Sequence, residues 1–174
     1  MRALILGGAR SGKSRIAEQR ALATPGKLPV YIATAWGGEP RDADSEMQRR
    51  IARHKSERDG RFRVLEEQLH LAQVLRQNDA DNVVFLVDCL TLWLNNCLHH
   101  NQLPYEKRAL LTLLPELKGD IIFVSNEVGS GIVPMGELNR VFADEAGWLN
   151  QAIARLCDNV ELVVAGCTLS LQHA

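Results

Sequence analysis

The 174-residue chain carries 20 Lys and Arg against 21 Asp and Glu, which gives a net charge of -1. This balance argues against a generally basic protein, so we expect no nucleic-acid partner. Because no leader pattern opens the chain and no apolar run reaches the roughly 18 residues of a membrane span, we predict a cytoplasmic protein with no membrane span and a single domain over residues 1–174.

Apolar runs and helical patterns alternate along the first half of the chain. Residues 3–6 and 28–34 read as buried strands around a helix over residues 13–23. A glycine-containing loop over 35–43 precedes a predicted helix over 44–58, which places Met47, Ile51 and His54 on one face. A short strand over 61–66 and a helix over 67–77 follow.

The second half continues the alternation. We predict a strand over 82–91, helices over 90–100 and 105–117, and a strand from residue 120 that enters a glycine-rich loop ending at 134. A helix over 137–157 and a strand over 160–166 complete the pattern, and the residues after 166 carry no prediction. Alternating strands and helices predict an α/β fold, with a mostly parallel sheet and helices on both faces.

The four cysteines are widely spaced and form no C-x-x-C pair. Each lies in an apolar context, which is typical of a free thiol in a protein core. We therefore predict buried, unpaired thiols at all four positions, Cys89, Cys97, Cys157 and Cys167.

The first strand leads into Gly7, Gly12, Lys13 and Ser14, which match the P-loop pattern G-x-x-x-x-G-K-[ST]. Glycines let the backbone N–H groups approach a phosphate chain closely, and the helix that follows points its positive end at the anion. In this pattern the lysine contacts the outer phosphates and the hydroxyl binds Mg²⁺. The sequence therefore predicts a nucleoside triphosphate site with Mg²⁺ as its cofactor.

Two acids follow apolar strands and are candidates for the same site. Asp88 ends the run "VVFLVD" and is predicted to contact the metal or a water. An acid at that position also serves as a helix N-cap, and the metal role is favoured because the P-loop is present. Glu127, in "SNEVGSG", is either a second functional carboxylate or a solvated loop acid.

The segment "RRIARHKSERDG" is open to two interpretations. His54 shares a helix face with Met47 and Ile51, which by itself favours a half-buried core histidine. The surrounding arginines and lysine are either a solvated helix face or a set of cations that cover phosphate oxygens during group transfer.

Five stretches in order, "GGARSGKSR", "YIAT", "DSEMQRRIARHK", "VSNEVGSGIVP" and "NRVFADEAGWLNQ", resemble the bifunctional adenosylcobinamide kinase / adenosylcobinamide-phosphate guanylyltransferase family of cobalamin biosynthesis. The resemblance implies a RecA-like P-loop fold and a cytoplasmic homo-oligomer, a homotrimer. It also implies two reactions on a corrinoid substrate. ATP or GTP phosphorylates the aminopropanol hydroxyl of adenosylcobinamide, and GTP then transfers GMP to that phosphate through a guanylyl-histidine, releasing pyrophosphate.

The family's motifs assign roles to positions of this chain. They make His54 the nucleophile, Lys13 and Asp88 catalytic, and Ser14 and Asp88 the metal-binding pair. Asp88 or Glu127 is the candidate base of the kinase step. The nucleotide contacts carried over are Gly7, Gly8, Ala9, Arg10, Ser11, Gly12, Lys13, Ser14, Ala33, Thr34, Ala35, Lys55, Ser56, Arg58, Glu66 and Asp88.

Two positions depart from the family pattern. Arg53 stands where relatives often have a second histidine, which leaves His54 as the local candidate nucleophile. Asp88 stands where relatives commonly have glutamate, one methylene longer.

Two other functions are compatible with the P-loop. A monofunctional small-molecule kinase would keep Lys13, Ser14 and Asp88 and would make His54 structural. A nucleotide-dependent switch would hydrolyse slowly and respond to a protein partner, but no docking tail indicates one.

Overall fold

The computed structural model describes residues 1–35 and 60–171. The predicted helix over 44–58, with His54, lies outside them. The strands are β1 (Arg2–Gly7), β2 (Leu28–Ala33), β3 (Arg63–Glu66), β4 (Val83–Asp88), β5 (Asp120–Asn126), β6 (Asn159–Val164) and β7 (Cys167–Leu171). The helices are α1 (Lys13–Ala23), α2 (Leu71–Asn78), α3 (Leu90–His99), α4 (Leu103–Leu113) and α5 (Glu137–Ala154).

In the described residues the strands form one sheet in the order β3-β2-β4-β5-β1-β6-β7. Strands β1 to β6 pair in parallel, and β7 pairs antiparallel with β6. The sheet places β1 between β5 and β6, so the first strand of the chain is central. All the loops that follow β1 to β6 therefore leave the same edge, which is where parallel sheets bind ligands.

Side chains alternate between two packed faces of the sheet. Ala3 and Ile5 of β1 pack with Ala17 and Ala21 of α1 on one face. Leu4 and Leu6 face the opposite side, in a core shared with α2 to α5 that contains the fully buried Trp93. The expected mostly parallel sheet with helices on both faces is confirmed.

Several predicted boundaries were wrong. The strand predicted to reach residue 91 ends at Asp88, because α3 begins at Leu90. The helix predicted from 67 begins at Leu71, since the Glu67 carboxylate accepts the N–H groups of Leu69 and His70 in a turn. The helix predicted over 105–117 is Leu103–Leu113 followed by a 3₁₀ turn (Leu114–Glu116), and the last helix ends at Ala154 rather than 157.

The C-terminal hairpin was not predicted. Ala165 and Gly166, with φ of 52° and 79°, connect β6 to β7. Two consecutive residues of positive φ match the tight turns that join antiparallel strands. The usual Asn-Gly or Asp-Gly signal is absent, which explains why the hairpin was not predicted.

The cysteine prediction was right at three positions and wrong at one. Cys89, Cys97 and Cys157 are buried and unpaired, whereas Cys167 is exposed. Cys167 begins β7, whose residues are all exposed because β7 is the last strand of the described sheet. In the described part of the chain, no helix combines the length and the apolarity that crossing a bilayer requires.

Candidate functional site

The P-loop folds as a cradle at the end of β1. Gly12 has φ of 97° and Arg10 has φ of 57°, so the loop turns through the left-handed region twice before α1 begins. The Ser11 N–H donates to the Gly8 carbonyl (3.3 Å), which closes the turn. Helix α1 has no side-chain cap and no acid in its first turn, so its N-terminal N–H groups are left for an anion.

Gly7 is required by close packing. A Cβ atom at Gly7 would lie 2.5 Å from Ser11 Oγ and 2.6 Å from the Val163 carbonyl oxygen. A Cβ atom at Gly8 would meet nothing within 4 Å. The first glycine therefore lets the loop pack against β6, while the second faces open space.

The turn of the C-terminal hairpin contacts the P-loop through backbone atoms. The Gly166 N–H donates to the Ser11 carbonyl (2.8 Å). The Cα atom of Gly166 lies 3.4 Å from the position that a Cβ atom of Gly12 would take, so the two glycines are in contact. This contact was missed at the sequence level because the hairpin itself was not predicted.

Lys13 is a buried cation at the base of the loop, with 9 % of its surface exposed. Its Nζ donates to the Gly8 carbonyl (3.0 Å). Burial lowers the pKa of the Lys13 ammonium, and the neighbouring Cys89 and Asp88 partly offset this. A bound polyanion would favour the charged form, so the site is arranged to gain electrostatic stabilisation when phosphates enter.

Asp88 ends β4 at the same edge of the sheet. The Tyr31 hydroxyl donates to Asp88 Oδ2 (2.6 Å), which fixes the carboxylate. Ser14, in the first turn of α1, supplies a hydroxyl oxygen. Mg²⁺ prefers a few oxygen ligands and takes the remainder from phosphates and water, so these two residues fit such an ion. No group of three or more His, Cys, Asp or Glu with metal-site geometry occurs in the ranges 1–35 and 60–171.

Thr34 links β2 to the turn after Asp88. Its hydroxyl accepts from the Cys89 N–H (2.8 Å) and donates to the Cys89 carbonyl (2.7 Å). The Asn96 side-chain amide donates to the Thr34 carbonyl (2.9 Å). Thr34 is fully buried, whereas Ala33 and Ala35 on either side are half-buried.

The remaining nucleotide contacts suggested by the resemblance are more distant or are not described. Glu66 is exposed at the end of β3, in register with Ala33. Since β3 is four strands from β1 in the sheet order, Glu66 is roughly 19 Å from the P-loop strand, at about 4.8 Å per strand. His54, Lys55, Ser56 and Arg58 lie outside the described residues.

A polar network that no motif indicated joins the end of β5 to the P-loop. The Asn126 N–H donates to Thr91 Oγ1 (2.8 Å), and the Asn150 amide donates to the Asn126 carbonyl (3.2 Å). The Glu127 N–H donates to the Gly7 carbonyl (3.3 Å), and Glu127 Oε1 accepts the Gly129 N–H (2.8 Å). Glu127 is thus held next to the first glycine of the loop.

The sequence of this chain is similar to one protein family. The model of the CobU family, described as cobinamide kinase / cobinamide phosphate guanyltransferase, matches residues 3–171. The bifunctional adenosylcobalamin biosynthesis protein CobP of Pseudomonas aeruginosa is 53% identical over 99% of this chain and 98% of its own length. The bifunctional adenosylcobalamin biosynthesis protein CobU of Escherichia coli is 33% identical over 99% of this chain and 100% of its length.

Comparisons of structure support the fold. The ATPase domain of G40P superposes with a TM-score of 0.51 at 18% identity, covering 92% of this chain and 68% of that one. The RadB recombinase superposes with a TM-score of 0.52 at 17% identity, covering 92% and 73%. At these identities the structural similarity supports a P-loop NTPase fold and nothing beyond the fold.

Proposed function

The chain belongs to the cobinamide kinase / cobinamide phosphate guanyltransferase family, and we propose that it acts on adenosylcobinamide in two successive steps. In the first, a nucleoside triphosphate phosphorylates the aminopropanol hydroxyl. In the second, GTP transfers GMP to the new phosphate. The observation that carries the proposal is a complete P-loop, with a buried Lys13, in a chain that the family model matches from residue 3 to 171.

The kinase step depends on positioning and on charge. The loop N–H groups and the N-terminus of α1 hold the triphosphate, and Lys13 takes up charge on its outer oxygens. Ser14 and Asp88 would hold Mg²⁺, which when bound neutralises phosphate oxygens. The substrate hydroxyl oxygen attacks the γ-phosphorus, and the bond to the β–γ bridging oxygen breaks to release the nucleoside diphosphate.

The guanylyl transfer proceeds through His54. An imidazole with an ordinary pKa of about 6.5 is largely neutral at pH 7 and has a nitrogen lone pair available. This nitrogen attacks the α-phosphorus of GTP, a nitrogen–phosphorus bond forms, and pyrophosphate leaves. An oxygen of the corrinoid phosphate then attacks the same phosphorus and frees the imidazole. The covalent intermediate divides one transfer into two easier ones.

The intermediate is tested with GTP labelled at the α-phosphate. We expect acid-labile label on the wild-type protein, no label on His54→Asn, and loss of label when adenosylcobinamide phosphate is added. His100→Asn, which changes an exposed histidine at the end of α3, is the matched control and keeps the label. Wild-type protein that transfers GMP without ever carrying label would contradict the histidine route.

We further propose that the chain forms a homotrimer. The segment that follows β5 and the first turn of α5 expose apolar side chains: Ile132 and Met135 are each 98 % exposed, and Val133 and Leu138 are 73 % and 75 % exposed. Apolar surface concentrated in this way is typical of protein–protein contacts. Sedimentation should give a trimer for the wild type and a smaller species for Ile132→Asp/Met135→Asp; a monomeric wild type would rule the proposal out.

A further inference from the structure

A cavity of about 520 Å³ lies beside the P-loop, on the sheet face opposite α1. Its size falls within the roughly 300–1,000 Å³ of small-molecule sites. Its apolar lining includes Leu6, Ala154, Val160 and Leu171. Its polar lining includes Glu127, Ser130, Asn150 and Gln151. The cavity is therefore suited to a short ligand segment with both a methyl group and hydrogen-bonding atoms.

Asn150 lines this cavity and carries a buried acceptor that has no donor among the described residues. The residue is 7 % exposed, and its Oδ1 has no hydrogen-bond partner among the described residues. The orientation of the amide is set by Nδ2, which donates to the Asn126 carbonyl (3.2 Å). A buried acceptor without a donor costs free energy, which a ligand N–H or O–H would recover.

Glu127 supplies a carboxylate where the cavity meets the P-loop. Its backbone N–H donates to the Gly7 carbonyl (3.3 Å), so the residue adjoins the loop that holds the phosphates. Its Oε1 is engaged by the Gly129 N–H, and within the described ranges no donor contacts Oε2. Asp88, the other candidate base, already accepts the Tyr31 hydroxyl.

We propose that this cavity binds the aminopropanol arm of the acceptor substrate, and that Glu127 is the base of the kinase step. This inference rests on the proposed function. An aminopropanol attached through its nitrogen presents one N–H, one methyl group and one hydroxyl. The N–H donates to Asn150 Oδ1, the methyl group packs against the apolar lining residues, and the hydroxyl lies against Glu127.

The step balances in atoms and charge. The hydroxyl oxygen forms a bond to the γ-phosphorus, and the nucleoside diphosphate leaves with the electrons of the broken bridging bond. The hydroxyl proton passes to the Glu127 carboxylate, which returns it to solvent after product release. A carboxylate that acts as a general base contributes on the order of 10²–10⁴-fold in rate.

Gly147 allows the cavity to be filled without disturbing the fold. It lines the cavity from within α5, and a Cβ atom there would meet nothing within 4 Å. Leucine is also a better helix former than glycine. Gly147→Leu should raise the KM for adenosylcobinamide at least tenfold, whereas the matched control Gly147→Ala, which adds one methyl group, should change it less than threefold.

A second readout separates the arm site from the nucleotide site. Gly147→Leu should keep the wild-type Kd for ATP. It should also release pyrophosphate from GTP at the wild-type rate when no acceptor is present, since neither process needs the aminopropanol arm. Glu127→Gln should lower kcat of the kinase step about a hundredfold or more, with KM for adenosylcobinamide within threefold of wild type.

The outcomes distinguish this inference from the proposed function. If wild-type protein phosphorylates adenosylcobinamide and Gly147→Leu retains wild-type KM, the cavity does not bind the arm. If Glu127→Gln keeps wild-type kcat, Glu127 is not the base. If the wild type phosphorylates no corrinoid while binding ATP, the proposed function itself fails.

Discussion

At the scale of single residues, the site combines burial with charge. Lys13 and Asp88 lie at the same edge of the sheet. The Lys13 ammonium is buried, and the Asp88 carboxylate accepts a hydrogen bond from the Tyr31 hydroxyl. Burying the ammonium lowers its pKa, so the unliganded fold carries an electrostatic cost that a phosphate chain removes. The buried ammonium that would bind phosphate therefore lowers the stability of the unliganded protein.

Replacing the buried ammonium should stabilise the unliganded protein. The pKa of Lys13 is lower in the folded chain than in the unfolded chain, so burying the protonated ammonium lowers the free energy of unfolding. This loss of stability is present in full below the folded pKa, and it fades as the pH rises through the folded pKa. Lys13→Met should raise Tm at pH 7 by about 1–2 °C and abolish kinase activity. Calorimetry between pH 7 and 10 checks this, and the difference in Tm should shrink as the pH rises; a lower Tm for the variant would contradict it.

The thiols should separate sharply in reactivity. Burial raises the pKa of Cys89 to about 11, and burial raises those of Cys97 and Cys157 to about 12. Cys167 is exposed. A thiol-disulfide reagent at pH 8 should therefore modify one thiol in native protein and four in denaturant, and Cys167→Ser should lose the fast phase; rapid reaction of a second native thiol would be inconsistent with the fold.

At the scale of elements, the P-loop is shaped by its neighbours as much as by its own sequence. The pattern G-x-x-x-x-G-K-[ST] predicted the loop, the strand before it and the helix after it, and all three are present. The two backbone contacts that hold it, from Gly166 to Ser11 and from Glu127 to Gly7, come from elements more than 100 residues away in the chain. No local pattern encodes contacts of that kind.

The two adjacent glycines of the loop offer a matched pair. Gly7→Ala places a methyl group 2.5–2.6 Å from Ser11 Oγ and the Val163 carbonyl, and overpacking against backbone should cost about 2 kcal/mol or more in unfolding free energy. Gly8→Ala meets open space and should stay within about 0.5 kcal/mol of wild type. Urea unfolding of both variants measures the difference, and equal midpoints would refute the packing.

Element boundaries show where sequence patterns stop being informative. The strands predicted from apolar runs are present, because five or six buried residues in a row need both faces covered. The strand at 82–91 was predicted too long, since the apolar run continues past Asp88, whereas Cys89 precedes α3 and Leu90 and Thr91 begin it. The cavity residues Asn150 and Gly147 were missed, because a polar side chain or a glycine within a helix has no distinctive local signature.

At the scale of the whole molecule, the sheet order decides which distant segments meet. The sequence indicated parallel strands but could not order them, and the order places the last hairpin against the first loop. The turn of the C-terminal hairpin thereby contacts the P-loop at Ser11, although no structure was predicted for the residues after 166.

Removing the hairpin should loosen the loop without unfolding the sheet. A chain that ends at residue 165 lacks β7 and the Gly166 N–H that binds Ser11. In the unliganded protein, the amides of residues 8–13 should exchange with deuterium at least tenfold faster, while those of β4 and β5 stay protected. A chain that ends at residue 171 is the control, and unchanged exchange in the shorter chain would mean that the hairpin does not support the loop.

The placement of β1 between β5 and β6 also bears on how the protein is made. Strand β1 finds its two partners only after residues 120–126 and 159–164 have been synthesised. Contacts this far apart in the chain are slow to form. A nascent chain of residues 1–100 therefore carries Gly7 to Ser14 but lacks both strands that flank β1, so the P-loop gains its neighbouring strands only after residue 164 has been synthesised.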